Sequence, residues 1–282
     1  MFAQEFMRNA LLAGTFVALA CGVCGWFVVL RGQVFAGDAL SHVAFPGALA
    51  AAVAGIDQRI GLFAATVLAG AAIGLAGRGV LARGKGANAG GGGTVAAPAD
   101  DATIGVIFTF ILALGLFLLT RFSLGSGGSS GIEAARTLFG SIFGLGAGEA
   151  RLAALVGIGV TALALAIARP LLFASVAPDV AAARGVPTRL LGIGFLALLG
   201  VVAAEAGQAL GALLLLGLLT APAAAAQRVV RSPGASLALA AALAVAATWS
   251  GLALAYAIPS LPPSSAVVMI AVAVYLLTLV RR

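Results

Sequence analysis

The sequence predicts an all-α, polytopic transmembrane helical bundle, and three observations carry that prediction. Hydrophobic residues make up 62% of the chain and charged ones 9%, with a mean hydropathy of +1.16; a soluble domain is about 25% charged. Apolar runs of bilayer-crossing length, about 17–25 residues, recur from end to end. The basic residues fall singly or in pairs at the ends of those runs, not along one stripe. Lipid offers no partner for an unpaired N–H or C=O, so the runs are read as helices; no two-residue alternation suggests a barrel. The formal charge of +7 then reports orientation in a membrane and not nucleic-acid binding, which would need a basic patch or interleaved aromatics.

Taken in order, the runs place spans at 9–30, 40–56, 60–77, 104–120, 152–168, 190–204, 208–227, 235–258 and 264–280. The count is eight or nine, because 190–227 reads either as two short spans or as a broken pair. Glu5 and Arg8 precede the first run, and no small-residue cleavage pattern follows it, so that span is expected to stay. Cys21 and Cys24 lie inside it; a redox or zinc site needs a polar setting, so they read as small packing residues. Residues 83–103 are rich in Gly and Ala and read as a flexible cytoplasmic loop. Residues 121–148 hold "GSGGSSG" and then "TLFGSIFGLG", a piece too short to span, expected as a half-helix or re-entrant segment at the outer face. Gly140–Gly144 and Gly207–Gly211 are G-x-x-x-G pairs, read as close helix packing. Glu205 is expected at the outer end of a span. All of this belongs to one membrane domain, 1–282.

With the C-terminal Arg281–Arg282 placed in the cytoplasm, Arg31, Arg78, Arg83, Lys85, Arg169, Arg184, Arg189, Arg228 and Arg231 also fall inside. Arg8, Arg59, Arg121, Arg136 and Arg151 fall outside, so the positive-inside bias is obeyed. The stretch "GVLARGKG" at 79–86 approaches a phosphate-cradling loop but ends in Gly86, which has no hydroxyl for magnesium, and no strand precedes it. The chain therefore has no nucleotide site of its own, and any ATPase must be a separate subunit.

Chemistry concentrates in "FAGDALSHVAFPG", residues 35–47. Asp38 and His42, the chain's single histidine, are four apart and share a helix face. A carboxylate with a neutral imidazole suits first-row divalent metals. Two ligands make a weak site, which fits a pathway that the ion must leave again. From residue types alone the same pair fits an interfacial histidine bonded to an aspartate favoured by the helix N-terminus, with Ser41 as local partner. Gln208 is a candidate pathway residue, for which packing or capping is the plainer reading. A membrane enzyme is disfavoured by the lack of an H-E-x-x-H or a Ser–His–Asp set.

The string "VVLRGQVFAGDALSHVAFPG" resembles the signature of the metal-type (manganese/zinc/iron) ABC transporter permeases. The resemblance continues through "DATIGVIFTFILALGL" at 101–116, "TLFGSIFGLG" at 137–146, "APDVAAARGV" at 177–186 and "GQALGALLLLGLLTAPAAAAQ" at 207–227. It implies a homodimeric permease that works with two ATPase subunits and an extracytoplasmic metal-binding protein. It implies that Asp38 and His42 meet the ion, and that Asp179, Ala183 and Gly185 belong to a cytoplasmic segment, 175–187, that couples to the ATPase. Residues 170–189 read independently as a break between spans on the basic side, with Pro170, Pro178, Gly185 and Pro187. Gln33 departs from the family pattern and is expected to change little. The implied function is passage of Mn, Zn or Fe into the cytoplasm, with no permanently bound cofactor; the alternatives are a permease for chelated metal or a vitamin, and a gradient-driven secondary carrier.

Overall fold

The computed structural model describes residues 4–76, 101–125, 142–258 and 260–280. Among them the regular elements are helical: α1 (Glu5–Leu30), α2 (Val34–Val53), α3 (Gln58–Ala76), α4 (Asp101–Gly125), a 3-10 turn (Ile142–Gly144), α5 (Ala147–Ala166), α6 (Ala168–Val176), α7 (Pro178–Ala183), α8 (Thr188–Leu210), α9 (Ala212–Val229), α10 (Pro233–Ala257) and α11 (Pro263–Val280). Seven of these, α1, α2, α3, α5, α8, α10 and α11, are long and apolar enough to cross a membrane. Helix α4 carries a shorter apolar stretch, Ile104–Thr120. The all-α membrane bundle read from the sequence is the fold of the protein. The expected loop at 83–103 lies outside the described residues up to 100, and α4 already starts at Asp101. Most of the expected re-entrant segment, 126–141, also lies outside them.

The element boundaries follow from backbone chemistry. Three helices end in the same way: α1 at Gly32 (φ +65°), α2 at Gly55 (φ +71°) and α7 at Gly185 (φ +79°). In each, the glycine and the residue after it donate back to the last turn, as in Gln33 N–H to Val28 O at 2.9 Å and Val186 N–H to Ala181 O at 3.0 Å. This satisfies carbonyls that a helix end leaves orphaned, and needs a residue without Cβ at the left-handed position. The 190–227 stretch is broken at one residue, Gly211, whose φ of +90° with ψ 146° is open only to glycine. Nothing breaks the chain before it, so α8 runs on to Leu210. Glu205, expected at a span's end, is instead buried inside α8 beside Val17, Val156, Gly157 and Val160. Gly207 has room for a Cβ, its nearest neighbour being Ala44 Cβ at 4.0 Å, so 207–211 is a helix break and not a close-packing pair.

Helix α1 forms the centre, packed by α5, α8, α9 and α10. Its apolar window is 72% buried against 22% for α11, which separates the bundle's middle from its periphery. Between helices in lipid the gain comes from close packing, which small residues permit. Added to Gly25, a Cβ would run into the Leu219 carbonyl; added to Gly22, it would lie 2.7 Å from Ala241 Cα. Hydroxyls buried in the helices return to their own backbone: Thr66 Oγ1 donates to Leu62 O at 3.0 Å and Thr248 Oγ1 to Ala244 O at 2.9 Å. Trp26 Nε1–H donates to Ser236 Oγ at 2.9 Å and Gln227 Nε2–H to Trp26 O at 2.8 Å, tying α1 to α10 and α9.

Candidate functional site

The sequence reading starts the second apolar span at residue 40 and puts Asp38 and His42 on one helix face. The glycine-closed end of α1 lets the chain turn in three residues, and α2 starts at Val34. Asp38 and His42 therefore both lie within α2, one turn apart. Asp38 Oδ1 stands 3.8 Å from His42 Nε2, too long for a hydrogen bond but close enough for both to reach one ion. Their side chains keep 33% and 19% of their exposure, although α2 is otherwise among the more buried helices.

The opposite face of α2 explains this openness. Gly37, Ser41 and Ala44 turn inward: a Cβ on Gly37 would meet Leu219 and Leu199, Ala44 packs with Ala204, and Ser41 is fully buried. Ser41 Oγ donates to the Asp38 backbone carbonyl at 2.6 Å, so its hydroxyl proton is committed to the helix. The Asp38–His42–Pro46 face turns toward α4, where the Phe108 ring lies 5.5 Å from the imidazole and a Cβ on Gly115 would come 2.6 Å from Pro46 Cγ. Pro46 has no N–H to give the carbonyl four residues back, which is that of His42. That oxygen lacks its helical partner beside the two side chains, and α2 remains one helix through it. Gly47 and Gly61 hold α3 against the other flank, since a Cβ on either would strike the partner's carbonyl.

The structure brings Asp38 and His42 together; Gln208 stands on α8, which packs on the opposite face of α2. Its side-chain Nε2 is buried without a hydrogen-bond partner, and one turn earlier Ala204 packs on Ala44 and Ala48 of α2. An orphaned buried amide costs about 1–3 kcal/mol, so it calls for a reason. Among the described residues no group of three or more His, Cys, Asp or Glu side chains converges on a point. Cys21 and Cys24 are fully buried free thiols in the centre of α1.

The second set of candidate residues forms α7. The expected break at 170–189 is helical in two pieces. Pro170 cannot donate to Ala166 O, and the chain bends between α5 and α6 at Ile167; Pro178 opens α7 at its first turn. Asp179, Ala183 and Gly185 are exposed, and Ala181 alone of that turn is buried. Sequence reasoning expects Pro46–Gly47 to let backbone carbonyls face a cavity without naming which one; it missed Phe108, for which no local pattern exists.

The sequence matches the ABC 3 transport family over residues 3–84 and 93–282, the gap falling in the glycine-rich run. It is 27% identical over 252 residues to the manganese transport system membrane protein MntC of Halalkalibacterium halodurans, covering 89% of this chain and 79% of that one. A probable iron transport system membrane protein of Haemophilus influenzae is 25% identical over 252 residues, 89% of this chain and 85% of that one. The structure of PsaBC from Streptococcus pneumoniae in complex with Fab superposes with a TM-score of 0.79 at 26% identity, covering 98% of this chain and 91% of that one. An all-helical membrane bundle with this match along nearly its whole length belongs to the ABC 3 transport family, and the chain is a permease of the metal-type ABC transporters.

Proposed function

We propose that this permease imports a divalent transition metal ion, manganese, zinc or iron, with the ion touching Asp38, His42 and the His42 carbonyl, which Pro46 leaves without its usual helical donor, on its way through. The observation that carries the reading is the α2 face itself: a carboxylate and an imidazole 3.8 Å apart, left open within an otherwise packed helix. Ionisable side chains in a membrane helix are costly, and usually mark a path for ions or protons. Gln208, with its unpartnered amide on α8, serves as a further polar station of the pathway.

The energy comes from two ABC ATPase subunits, an extracytoplasmic binding protein delivers the ion, and a second copy of this chain completes the pathway. The C-terminus lies in the cytoplasm, so α2 rises from the inner side and Asp38 sits roughly 6 Å along it, at 1.5 Å per residue. α7, presenting Asp179, Ala183 and Gly185, docks on the ATPase. ATP binding then shifts α7, the protomers rock, and the two ligands face alternate sides.

Manganese uptake by cells carrying the complete transporter tests the reading. Asp38→Ala and His42→Ala, at normal membrane levels, abolish uptake; transport at the wild-type rate would overturn the proposed role. Gly185→Arg adds bulk where φ is positive and separates the ATPase from the membrane subunit, which unchanged co-purification would refute.

A further inference from the structure

Arg31 enters the sequence reading only as one more positive charge on the inner side, and Gln33 as a departure of little consequence. The structure gives both a place in a chain of polar contacts. Arg31 caps α1, and its guanidinium spends its donors in two directions. Nε–H donates to Gln33 Oε1 at 3.1 Å, within the α1–α2 turn. Nη1–H donates to Ser175 Oγ at 3.3 Å, on α6, 144 residues away in sequence. Ser175 Oγ–H itself donates to Leu171 O at 2.6 Å, so its lone pairs are free to accept from Arg31.

The guanidinium also lies over the Phe195 ring, 5.6 Å from its centroid. Phe195 is fully buried and meets Phe27 edge-on at 6.0 Å, and Phe27 meets Trp26 at 5.0 Å. Arg31 thus rests on an aromatic column that joins α8 to α1. Gly192 of α8 lies alongside: a Cβ there would be in ordinary contact with Nη2, at 3.5 Å. Burial lowers the pKa of the group, though an arginine keeps its charge throughout.

The two ends of this chain are what give it meaning. Ser175 lies three residues before Pro178, where α7 begins, and Gln33 is the residue from which α2 starts, five before Asp38. We infer that Arg31 is a positioning residue that transmits movement of the α6–α7 segment to the head of α2, and so sets which way Asp38 and His42 face. The inference rests on the proposal that α7 docks the ATPase. A displaced α6 carries Ser175, the guanidinium follows across the Phe195 face, and Gln33 turns the first turn of α2 with it. A planar fork is needed, because one group must hold two acceptors in fixed directions; a lysine ammonium is a point charge that satisfies one.

The experiment measures manganese(II) ions carried per ATP hydrolysed, in vesicles holding the complete transporter with its ATPase and binding protein. Arg31→Gln keeps ATPase co-purification and basal hydrolysis near wild type but lowers ions carried per ATP about tenfold, within the usual range of coupling between sites. Ser175→Ala, which leaves the charge in place, lowers it about threefold, and Arg31→Lys falls between wild type and Arg31→Gln. Wild-type stoichiometry in both Arg31→Gln and Ser175→Ala overturns the inference, as does a parallel fall in uptake and hydrolysis, the mark of a merely structural arginine. If Arg31→Gln does not reach the membrane, Ser175→Ala decides alone. A wild-type complex that transports with no ATPase bound sinks the importer reading itself, an outcome separate from either variant's result.

Discussion

Two neighbouring helices each carry a pair of ligand-type side chains, and the structure treats them in opposite ways. Cys21 and Cys24 on α1 are three apart, and Asp38 and His42 on α2 are four apart, so within each pair the side chains share a helix face. The thiols are buried to zero exposure at the centre of the bundle, among apolar neighbours. The acid and the imidazole sit on the outward face of α2, half-open beside Phe108. The difference lies in what surrounds each helix. α1 is packed on all sides by α5, α8, α9 and α10, whereas α2 is packed by α3, α8 and α9 and turns its Asp38–His42 face toward α4, where both side chains keep part of their exposure. Spacing makes a pair available; packing decides whether anything can reach it.

Replacing each pair in turn breaks or sharpens this contrast. The largest effect falls on Asp38→Ala combined with His42→Ala: manganese uptake drops by about 100-fold or more, since even outer groups around a metal site are worth 10–100-fold. The double variant loses little beyond either single one, because both residues serve one ion. Additive losses would mean that they act separately. Next comes Gly25→Val, which drives a side chain into the Leu219 backbone. Overpacking costs about 1–3 kcal/mol where neighbours can give, and a carbonyl in a helix gives little, so the folded yield in detergent falls and the thermal midpoint drops. An unchanged midpoint would show that α1 and α9 can part.

Phe108→Ala is smaller. The ring confines the imidazole without bonding to it, so uptake at limiting manganese falls about threefold, a loss of well under 1 kcal/mol, while membrane levels stay normal. Smallest is Cys21→Ala with Cys24→Ala, where each thiol behaves as a small hydrophobe. Transport stays within about twofold and stability falls by about 1–2 kcal/mol, the cost of small cavities. Uptake lost to the same degree as in the Asp38 variant would remove the distinction between open and buried pairs.

The positions of most helices were legible, because lipid makes every crossing segment apolar and helical whatever its neighbours are. The errors fall where a boundary depends on one residue's backbone. A span drawn from residue 40 begins at Val34, since Gly32 turns the chain within three residues and Gly37 does not stop a helix that has started. Likewise 190–204 extends to Leu210, and Glu205 is carried into the interior, because no breaker precedes Gly211. The α6–α7 region, read as a break between spans from its three prolines and a glycine, is one, and it is built of two short helices because prolines in first turns are compatible with helices. In the candidate site, the closeness of Asp38 and His42 was legible from their spacing. Phe108 and the Arg31–Ser175 contact join residues 66 and 144 positions apart, and no local pattern records such pairs.

By itself the sequence determined the solvent of this protein, the helical state of its crossings, and the face on which an acid and an imidazole meet. Those follow from composition and from a repeat of 3.6 residues, which are properties of each segment alone. Tertiary structure decided which pair of ligands stays open, where Gln208's amide is stranded, and which contact links the head of α2 to α6. Each of these depends on how closely two helices approach, and that distance is set by glycines and prolines on one helix meeting backbone on another.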